Sequence, residues 1–335
     1  MGQDVCLLKK HEREHSSDFL QYVIRSQVVT EQLAILLIGS TFKRVNVEEI
    51  RNLMIPIPPS REQAAIASFL DRETAKIDVL VGEQRRMIEL LKEKRQAVIS
   101  HAVTKGLNPH APMKPSGVEW LGDVPAHWEV LRVKSVSTFI TSGPRGWSER
   151  ISEEGSLFVQ SGDLNDFLEV EFAGSKRVQV ENNAEAARTQ LCEGDVVVCV
   201  TGAKTGNVAV CTAVPEAAYV NQHLCLIRPT QGILPIFLGM LLKSRLGQTH
   251  FELSQYGLKQ GLSLANVRES PVLLPPLAEQ TAIVTYLKAE AAKLDALTAE
   301  AQHAIDLLQE RRTALISAAV TGKIDVRGLA ESEAA

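Results

Sequence analysis

The spacing of apolar residues predicts two long helices in this chain. In residues 60–104 the apolar positions recur at multiples of the three- and four-residue helical spacing, so they lie on one narrow stripe. The first stripe comprises Ile66, Leu70, Ile77, Leu80, Ile88, Leu91, Val98 and Ala102. Residues 277–321 repeat it at Ile283, Leu287, Leu294, Leu297, Ile305, Leu308, Leu315 and Ala319. A stripe this narrow is typical of a coiled-coil seam, so we expect two helices that pair.

The two helices belong to a duplicated segment. A shift of 217 residues aligns 50–104 with 267–321, and 25 of the 55 aligned pairs are identical. The identities include polar pairs such as Glu62 with Glu279, so they are not explained by the apolar stripe alone. Such similarity indicates an internal duplication. Prolines precede both helices and glycines follow them, as is typical of helix ends.

Charged residues also lie on the stripe of each helix, Glu73 and Arg95 on the first and Glu290 and Arg312 on the second. If the helices pair antiparallel, Glu73 faces Arg312 and Glu290 faces Arg95. We hypothesise two cross-helix ion pairs, because paired charges on a seam fix its register and direction. The alternative is that these side chains extend along the edge of the seam into water.

Between the helices the pattern changes to short runs of β-forming residues separated by glycine, asparagine and proline. The sequence therefore predicts an α+β fold with a mixed, β-rich domain and two long helices that form an antiparallel coiled coil. Trp120 and Trp128 are interpreted as core residues of this domain. The predicted segments are 1–59, the C-terminal remnant of a first domain; 60–105, a helix; 106–116, a linker; 117–276, a second domain; 277–322, a helix; and 323–335, a disordered tail.

The duplication extends upstream of the first helix. Residues 19–50 parallel 237–267, with a difference of one residue in spacing. If the whole second copy, from about residue 114, had a counterpart, that counterpart would begin about a hundred residues before Met1. We therefore expect the first domain to be truncated at its N-terminal side.

Composition limits the classes of function. The 335 residues fit about two domains, and the net charge of −4 means that any nucleic-acid surface has to be a local patch. Apolar runs are too short for a membrane span. Five cysteines without a CxxC motif indicate reduced thiols in a cytoplasmic protein. Residues 201–206, TGAKTG, fit a β-turn better than a phosphate loop. We expect no catalytic residues, no metal and no cofactor.

Several polar loops of the second domain carry chemistry suited to DNA. Their cations could approach phosphates or guanine, and their amide and imidazole groups could contact base edges. Each residue taken alone also fits an ordinary solvated loop. The candidate DNA-binding residues are Ser142, Arg145, Trp147, Arg150, Lys204, Thr205, Asn221, Gln222, His223, Tyr256, Lys259 and Gln260.

Two motifs and their order along the chain carry a family resemblance. SGVEWLGDVPAHWEV begins at residue 116 and precedes the β-rich stretch, and PPLAEQTAIVTYL begins at residue 275 and opens the second helix. This combination resembles the specificity subunits of type I restriction-modification systems, over nearly the whole chain. The resemblance implies two target-recognition domains, each followed by a helix, with the two helices paired antiparallel. Each domain would read one half of a bipartite DNA target.

The resemblance also implies the partners. The chain itself would carry no catalysis; it would bind double-stranded DNA and two DNA-methyltransferase subunits, and restriction subunits would join that complex. This sequence departs from the family because its first recognition domain keeps only a C-terminal part, including Gly39, Ser40, Lys43 and Arg44. Short family members can pair to rebuild a two-domain reader, so self-association is expected here too. The alternative is a scaffold or decoy whose helices bind methyltransferase subunits without productive DNA recognition.

Overall fold

The computed structural model describes residues 6, 8, 15–36, 45–255 and 261–327. Residues 39, 40, 43 and 44, which belong to the predicted remnant, lie outside them. The α-helices of the described residues are α1 (Ser17–Arg25), α2 (Gln27–Leu36), α3 (Val47–Arg51), α4 (Ser60–Lys105), α5 (Ala184–Thr189), α6 (Pro235–Lys243), α7 (Arg245–Ser254), α8 (Leu264–Arg268) and α9 (Leu277–Val320). Here α4 and α9 are the two long helices that the repeated stripe predicts.

The strands of the described residues all lie between α4 and α9 in the chain. They are β1 (Met113–Pro115), β2 (Asp123–Pro125), β3 (Glu129–Arg132), β4 (Ser137–Ser142), β5 (Ile151–Ser152), β6 (Ser156–Val159), β7 (Lys176–Val178), β8 (Val196–Cys199), β9 (Val208–Val210), β10 (Ala218–Val220), β11 (Leu224–Pro229) and β12 (Pro271–Leu274). Two four-stranded sheets have the orders β10-β6-β7-β5 and β4-β11-β8-β9. The strand pairs β1-β2 and β12-β3 complete the β structure.

The chain divides into two compact units. Unit 1 comprises Met1–Leu91 and Asp295–Ala335, and unit 2 comprises Lys92–Leu294. Each long helix therefore contributes one segment to each unit.

The helix segments of unit 1 pack antiparallel. Near the start of α4, Leu70 shares a core with Ile316 and Ala319 near the end of α9. Further along α4, Ile77 clusters with Ile305, which lies earlier in α9. Because the α9 contacts move backward as α4 advances, the two helices run in opposite directions. The predicted fold class, α+β with an antiparallel pair of long helices, is confirmed.

The seam differs from the predicted stripe at one step. Leu80 and its counterpart Leu297 are exposed, whereas Val81 is buried. The predicted stripe counted apolar residues only, and it therefore missed the polar seam positions Thr74 and Gln84 and placed Leu80 one residue out of phase. With the polar residues included, the spacing alternates strictly between four and three, as a heptad seam requires. The unit 1 seam of α4 comprises Leu70, Thr74, Ile77, Val81, Gln84, Ile88 and Leu91.

In unit 1, the charged residues of the stripe have partners other than the predicted ones. Glu73 accepts hydrogen bonds from Lys76 at 3.0 Å and from Arg72 at 3.3 Å. Arg312 does cross between the helices, but its guanidinium donates to Asp78 at 3.4 Å. The pKa of the Glu73 carboxyl group is lowered, chiefly by the ammonium group of Lys76 and to a smaller extent by the guanidinium group of Arg72. A lysine one turn away reaches the carboxylate without crossing the seam, which accounts for the difference.

In unit 2, Glu290 likewise accepts a hydrogen bond from Lys293, at 2.6 Å. Arg95 reaches the neighbouring position on α9, where it donates to the carbonyl oxygen of Ala291 at 3.3 Å. Its guanidinium also lies 5.7 Å from the centre of the Phe167 ring. The two hypothesised cross-helix ion pairs are therefore replaced by pairs within each helix and by other contacts of the arginines.

The duplication is visible as repeated local geometry, with one copy in each unit. In unit 1 the buried Gln63 amide accepts from the Ser16 N–H at 2.9 Å and donates to the Pro58 carbonyl at 2.8 Å. In unit 2 the buried Gln280 amide accepts from the Leu234 N–H at 2.8 Å and donates to the Pro275 carbonyl at 2.9 Å. Each glutamine ties the start of its long helix to a preceding segment.

A second repeated contact joins a short helix to the far end of a long one. The Gln27 N–H at the start of α2 donates to the Ser317 hydroxyl of α9 at 2.9 Å. The Arg245 N–H at the start of α7 donates to the Ser100 hydroxyl of α4 at 3.0 Å. Short helices also repeat, since α3 and α8 each begin with a reciprocal capping box. The two units thus share a framework of short helices on the ends of α4 and α9.

The core of unit 2 lies on both faces of the β4-β11-β8-β9 sheet. Strand β8 is buried throughout, and alternate residues face opposite ways. Val196 and Val198 pack in the core that includes α6 and α7, whereas Val197 and Cys199 pack against strands β6 and β10 of the other sheet. The continuous apolar run of β8 is therefore explained by packing on both faces of the strand.

Three details differ from the sequence predictions. Trp128 is fully buried as expected, but Trp120 is 41% exposed, with its ring 6.3 Å from that of His250. The predicted linker includes strand β1, which pairs with β2. In the predicted disordered tail, Val326 is buried in the core of unit 1, because this apolar residue packs with the start of α4 and the end of α9. Residues 328–335 lie outside the described part.

The five thiols provide a test of this fold. Cys6 and Cys192 are exposed, whereas Cys199, Cys211 and Cys225 are buried. Burial raises the pKa of Cys211 and Cys225 to about 12, so their reactive thiolate forms are scarce at neutral pH. A disulfide-exchange reagent at pH 8 should therefore titrate two thiols in the native protein and five after unfolding. Rapid reaction of a third native thiol would contradict the packing of the sheets.

Candidate nucleic-acid interface

Several loops of unit 2 leave the two sheets at one common edge. Strand β4 ends beside the start of β11, because Ser142 lies opposite Cys225. Strand β8 ends at the same place, because Cys199 lies opposite Leu224. The second sheet ends at the same place, because the Asn221 N–H donates to the Val159 carbonyl oxygen at 3.0 Å. We call residues 142–147, 160–164, 201–207, 221–223 and 261–262 the loop edge.

The turn after β8 presents a lysine at the loop edge. Thr205 closes the turn, since its N–H lies 3.0 Å and its hydroxyl oxygen 2.6 Å from the carbonyl oxygen of Gly202. Lys204 is exposed, and its ammonium group donates to the carbonyl oxygens of Leu164 at 3.2 Å and Gly162 at 3.4 Å. These neutral acceptors hold the lysine in place, and none of the described ion pairs includes it, although the carboxylate of Asp163 is close enough to interact with its charge.

In the turn before β11, one of the predicted amide and imidazole residues closes the turn, and the other two are presented at its surface. Asn221 is buried, and its side-chain oxygen accepts the His223 N–H at 3.0 Å, so it closes the turn. The side chain is only 3% exposed, so the predicted contact of Asn221 with base edges would require this turn to open. His223 is half-buried and its Nδ1 bonds to the Thr201 hydroxyl, while its Nε2 lies 3.3 Å from the Gln222 amide nitrogen. Gln222 and His223 are therefore the polar groups that this turn presents.

The segment after β4 carries two exposed arginines and one buried tryptophan. Arg145 is exposed, and none of the described ion pairs includes it. Trp147 is 2% exposed; its indole N–H donates to Glu185 at 3.2 Å and its ring centre lies 5.6 Å from that of Tyr219. Trp147 thus packs in the core, and its predicted contact with DNA would require the ring to leave that core. Arg150 lies 3.7 Å from Glu181.

Three candidates, Tyr256, Lys259 and Gln260, lie outside the described residues. The segment that follows them is anchored at the loop edge. Gly261 forms a bridge with Thr201, and the Leu262 N–H donates to the Val200 carbonyl oxygen at 2.7 Å. Among the described candidates, the structure therefore brings together Ser142, Arg145, Lys204, Thr205, Gln222 and His223.

The sequence reading missed Lys243 at the end of α6. Its ammonium group donates to the carbonyl oxygens of Asp166 at 2.8 Å and Asn165 at 3.4 Å, in the chain segment that follows the residues bound by Lys204. Burial lowers the pKa of Lys243. The terminal turn of a helix is a common place for lysine, so its position in the sequence gave no signal of this contact.

Metal-binding clusters and membrane-spanning helices are absent from the part of the chain that the structure describes. There, no three or more His, Cys, Asp or Glu side chains gather in a way that could hold a metal ion. Within the same residues, no helix combines the length and the hydropathy that a bilayer span requires.

Comparison with known proteins places the chain in a family. The sequence model of the type I restriction modification DNA specificity domain matches residues 1–89 and 125–306. The EcoKI specificity subunit of Escherichia coli is 23% identical over 98% of this chain and 70% of its own length. The EcoBI specificity subunit, also from Escherichia coli, is 22% identical over 99% of this chain and 71% of its own length.

A solved structure supports the fold. A chain from a study of complex assembly in the type I R-M system superposes with a TM-score of 0.70 at 21% identity, covering 92% of this chain and 71% of that chain. The repeated helices, the β-rich unit between them and the match of the family model over most of the chain agree with one another. This protein therefore belongs to the type I restriction-modification DNA specificity family.

Proposed function

We propose that this chain is a non-catalytic specificity subunit that binds double-stranded DNA in a sequence-selective way through the loop edge of unit 2. The observation that carries the proposal is the convergence of Arg145, Lys204, Gln222 and His223 on one edge of two packed sheets, in a chain of this family. Exposed cations outside the described ion pairs suit phosphates, and amide and imidazole groups suit base edges. Ser142 and Thr205 add hydroxyl groups to the same edge. We include Tyr256, Lys259 and Gln260, which lie outside the described residues, in the proposed site because they directly precede Gly261 in the chain.

The proposed assembly places partners on the long helices. Methyltransferase subunits, two per complex, would bind α4 and α9, and restriction subunits would join them. Because α4 has 46 residues, it is about 70 Å long at 1.5 Å per residue. A helix pair of that length would fix the separation between two halves of a bipartite target. The second half would be read by a recognition domain from another polypeptide, including another copy of this chain.

Salt dependence tests the DNA contact. In the presence of methyltransferase subunits, Arg145→Ala and Lys204→Ala should each weaken binding of duplex DNA and reduce the slope of log affinity against log salt by about 0.9, because one phosphate contact is lost. Fluorescence anisotropy with labelled duplexes over a series of salt concentrations measures this slope.

Arg177→Ala is the matched control. Arg177 is paired with Glu216 at 2.7 Å and lies opposite Leu157 near the start of β6, at the other end of the sheet. Its loss should leave the slope unchanged. If all three variants bind as the wild type does, the loop edge is not the DNA contact. Retained methyltransferase binding without any DNA selectivity would favour the scaffold or decoy alternative.

A further inference from the structure

The histidine in the turn before β11 has all of its polar groups engaged within unit 2. The His223 N–H donates to the Asn221 side-chain oxygen at 3.0 Å, and the His223 carbonyl oxygen accepts the Val200 N–H at 2.9 Å. In the ring, Nδ1 bonds to the Thr201 hydroxyl and Nε2 lies 3.3 Å from the Gln222 amide nitrogen. Because neither ring nitrogen is free, the imidazole acts on its two side-chain neighbours.

These contacts determine which ring nitrogen carries the hydrogen. An amide nitrogen donates hydrogen bonds and does not accept them, so the Nε2 of His223 accepts from Gln222. A neutral imidazole carries one hydrogen, which therefore lies on Nδ1 and is donated to the Thr201 hydroxyl oxygen. Thr201 thus sets the tautomer of His223, and the tautomer sets which end of the Gln222 amide faces the ring.

The contact with the ring leaves Gln222 one acceptor and one donor for a ligand. Among the described residues, the Gln222 side chain makes no hydrogen bond other than the one to His223. Gln222 is half-buried, and its side-chain oxygen is not one of the buried polar atoms that lack a partner. Its remaining oxygen and N–H match the N6 amino group and N7 of adenine in the major groove. Guanine presents two acceptors there, O6 and N7, and does not match.

Backbone contacts hold the two turns that carry these side chains. Thr201 forms a bridge with Gly261, and a Cβ at Gly261 would lie 3.3 Å from the Thr201 methyl group. The Leu224 N–H donates to the Asn221 carbonyl oxygen at 3.1 Å, which closes the turn that contains Gln222. The glutamine is therefore oriented before a ligand arrives, which lowers the entropy lost on binding.

We propose that Gln222 reads an adenine in the major groove of the DNA half-site, and that His223 and Thr201 are positioning residues that fix the order of its donor and acceptor. Because this contact is made at the loop edge, it rests on the proposed DNA-binding function and adds the identity of one base to it. His223 acts through Gln222 and does not itself contact the base.

Selection from random DNA duplexes, with methyltransferase subunits present, tests the identity of the base. The wild-type chain should enrich a sequence in which one adenine depends on Gln222. The preference for that adenine should fall about tenfold in Gln222→Ala, near the lower end of the discrimination that a bidentate pair provides. It should fall equally in Gln222→Glu, which has the same shape but no N–H donor.

Gln179→Ala is the matched control. Gln179 follows Val178, which lies opposite Ser156 at the start of β6, and its amide donates to the Glu154 carbonyl oxygen at 3.2 Å. It therefore lies at the end of that sheet away from the loop edge. The same truncation there should leave the enriched sequence unchanged.

A single-atom change in the DNA tests the contact itself. Replacing the enriched adenine with 7-deazaadenine removes the N7 acceptor and keeps the base pair. Anisotropy should show that the wild-type complex binds this duplex about fivefold more weakly, the usual contribution of one hydrogen bond. The Gln222→Ala complex should bind the two duplexes equally.

Substitutions of Thr201 test the positioning role. Thr201→Val keeps the methyl group that faces Gly261 and removes the hydroxyl that accepts from His223. The hydrogen of the ring can then move to Nε2, and the Gln222 amide turns its oxygen toward it. The preference for adenine over guanine should fall about tenfold in this variant and return in Thr201→Ser, which restores the hydroxyl. Circular dichroism shows whether each variant is folded.

The outcomes separate the adenine contact from DNA binding as such. If the enriched sequence is the same with Gln222→Ala, or if 7-deazaadenine weakens the wild type and Gln222→Ala equally, the adenine contact is overturned and DNA binding stands. Guanine at the position that depends on Gln222 would also overturn it. An unchanged preference in folded Thr201→Val would overturn the positioning role. If the wild-type complex enriches no sequence, the proposed function fails and the adenine contact fails with it.

Discussion

Replacing Trp128 with alanine is expected to lower the free energy of unfolding by about 3–5 kcal/mol, the usual cost of truncating a buried tryptophan. The side chain is fully buried against the glycine that ends α4, and its N–H donates to Glu279 at the start of α9. Its loss removes apolar contacts and also leaves a carboxylate with one donor fewer. Urea unfolding followed by circular dichroism measures the change.

Trp120→Ala is the matched control, since it makes the same truncation eight residues earlier. Trp120 is 41% exposed and contacts the His250 ring without a buried hydrogen bond, so its loss should cost only about 1 kcal/mol. Trp128 is assigned as the residue that packs against the end of α4 and the start of α9, and Trp120 is not. Equal destabilisation by the two substitutions would contradict this assignment.

Gly143→Ala is expected to abolish DNA binding and to lower the free energy of unfolding by about 3 kcal/mol, the upper part of the usual range for overpacking. A Cβ at Gly143 would lie 2.0 Å from the Val220 carbonyl oxygen and 2.3 Å from the Asn221 carbonyl oxygen. These are backbone atoms of the turn that presents Gln222 and His223, so they cannot move aside as the end of a flexible side chain can. The loop after β4 and the 221–223 turn would have to separate.

Gly162→Ala is the control for this substitution. Gly162 also lies in the loop edge, but a Cβ there would meet no atom within 4 Å and its φ is not positive. This variant should retain both its stability and its DNA binding, measured by urea unfolding and by anisotropy. If Gly143→Ala behaved in the same way, the packing of the loop edge described above would be wrong.

The long helices could be predicted because the duplication gives two versions of one pattern. A feature present in both copies, such as the buried glutamine at positions 63 and 280, reflects a shared structural requirement. The exact seam could not be read from apolar residues alone, because Thr74 and Gln84 occupy seam positions and Leu80 does not. The ion pairs were mispredicted because Lys76 and Lys293 lie on the same helices as the acids they bind.

The sequence allowed the loops of the loop edge to be predicted from their residue types, but it did not show which of their side chains are buried. Arg145 and Lys204 are cations in turns, and both are exposed as the glycine-rich context suggests. Trp147 and Asn221 are buried by partners that a local reading does not reveal, because Glu185 lies 38 residues from Trp147 and the Val159 carbonyl that binds the Asn221 N–H lies on another strand. Local composition therefore identifies candidate loops, while long-range packing decides which side chains remain available to DNA.

Selection from a pool of random DNA duplexes tests the central claim most directly. The wild-type chain with its methyltransferase subunits should enrich a defined sequence, and a double variant with Gln222→Ala and His223→Ala should enrich a relaxed sequence or none, since base-edge contacts carry the discrimination. An unchanged enriched sequence with the double variant would show that these residues do not read DNA. Failure of the wild-type complex to enrich any sequence would contradict the proposal that this chain is a DNA reader.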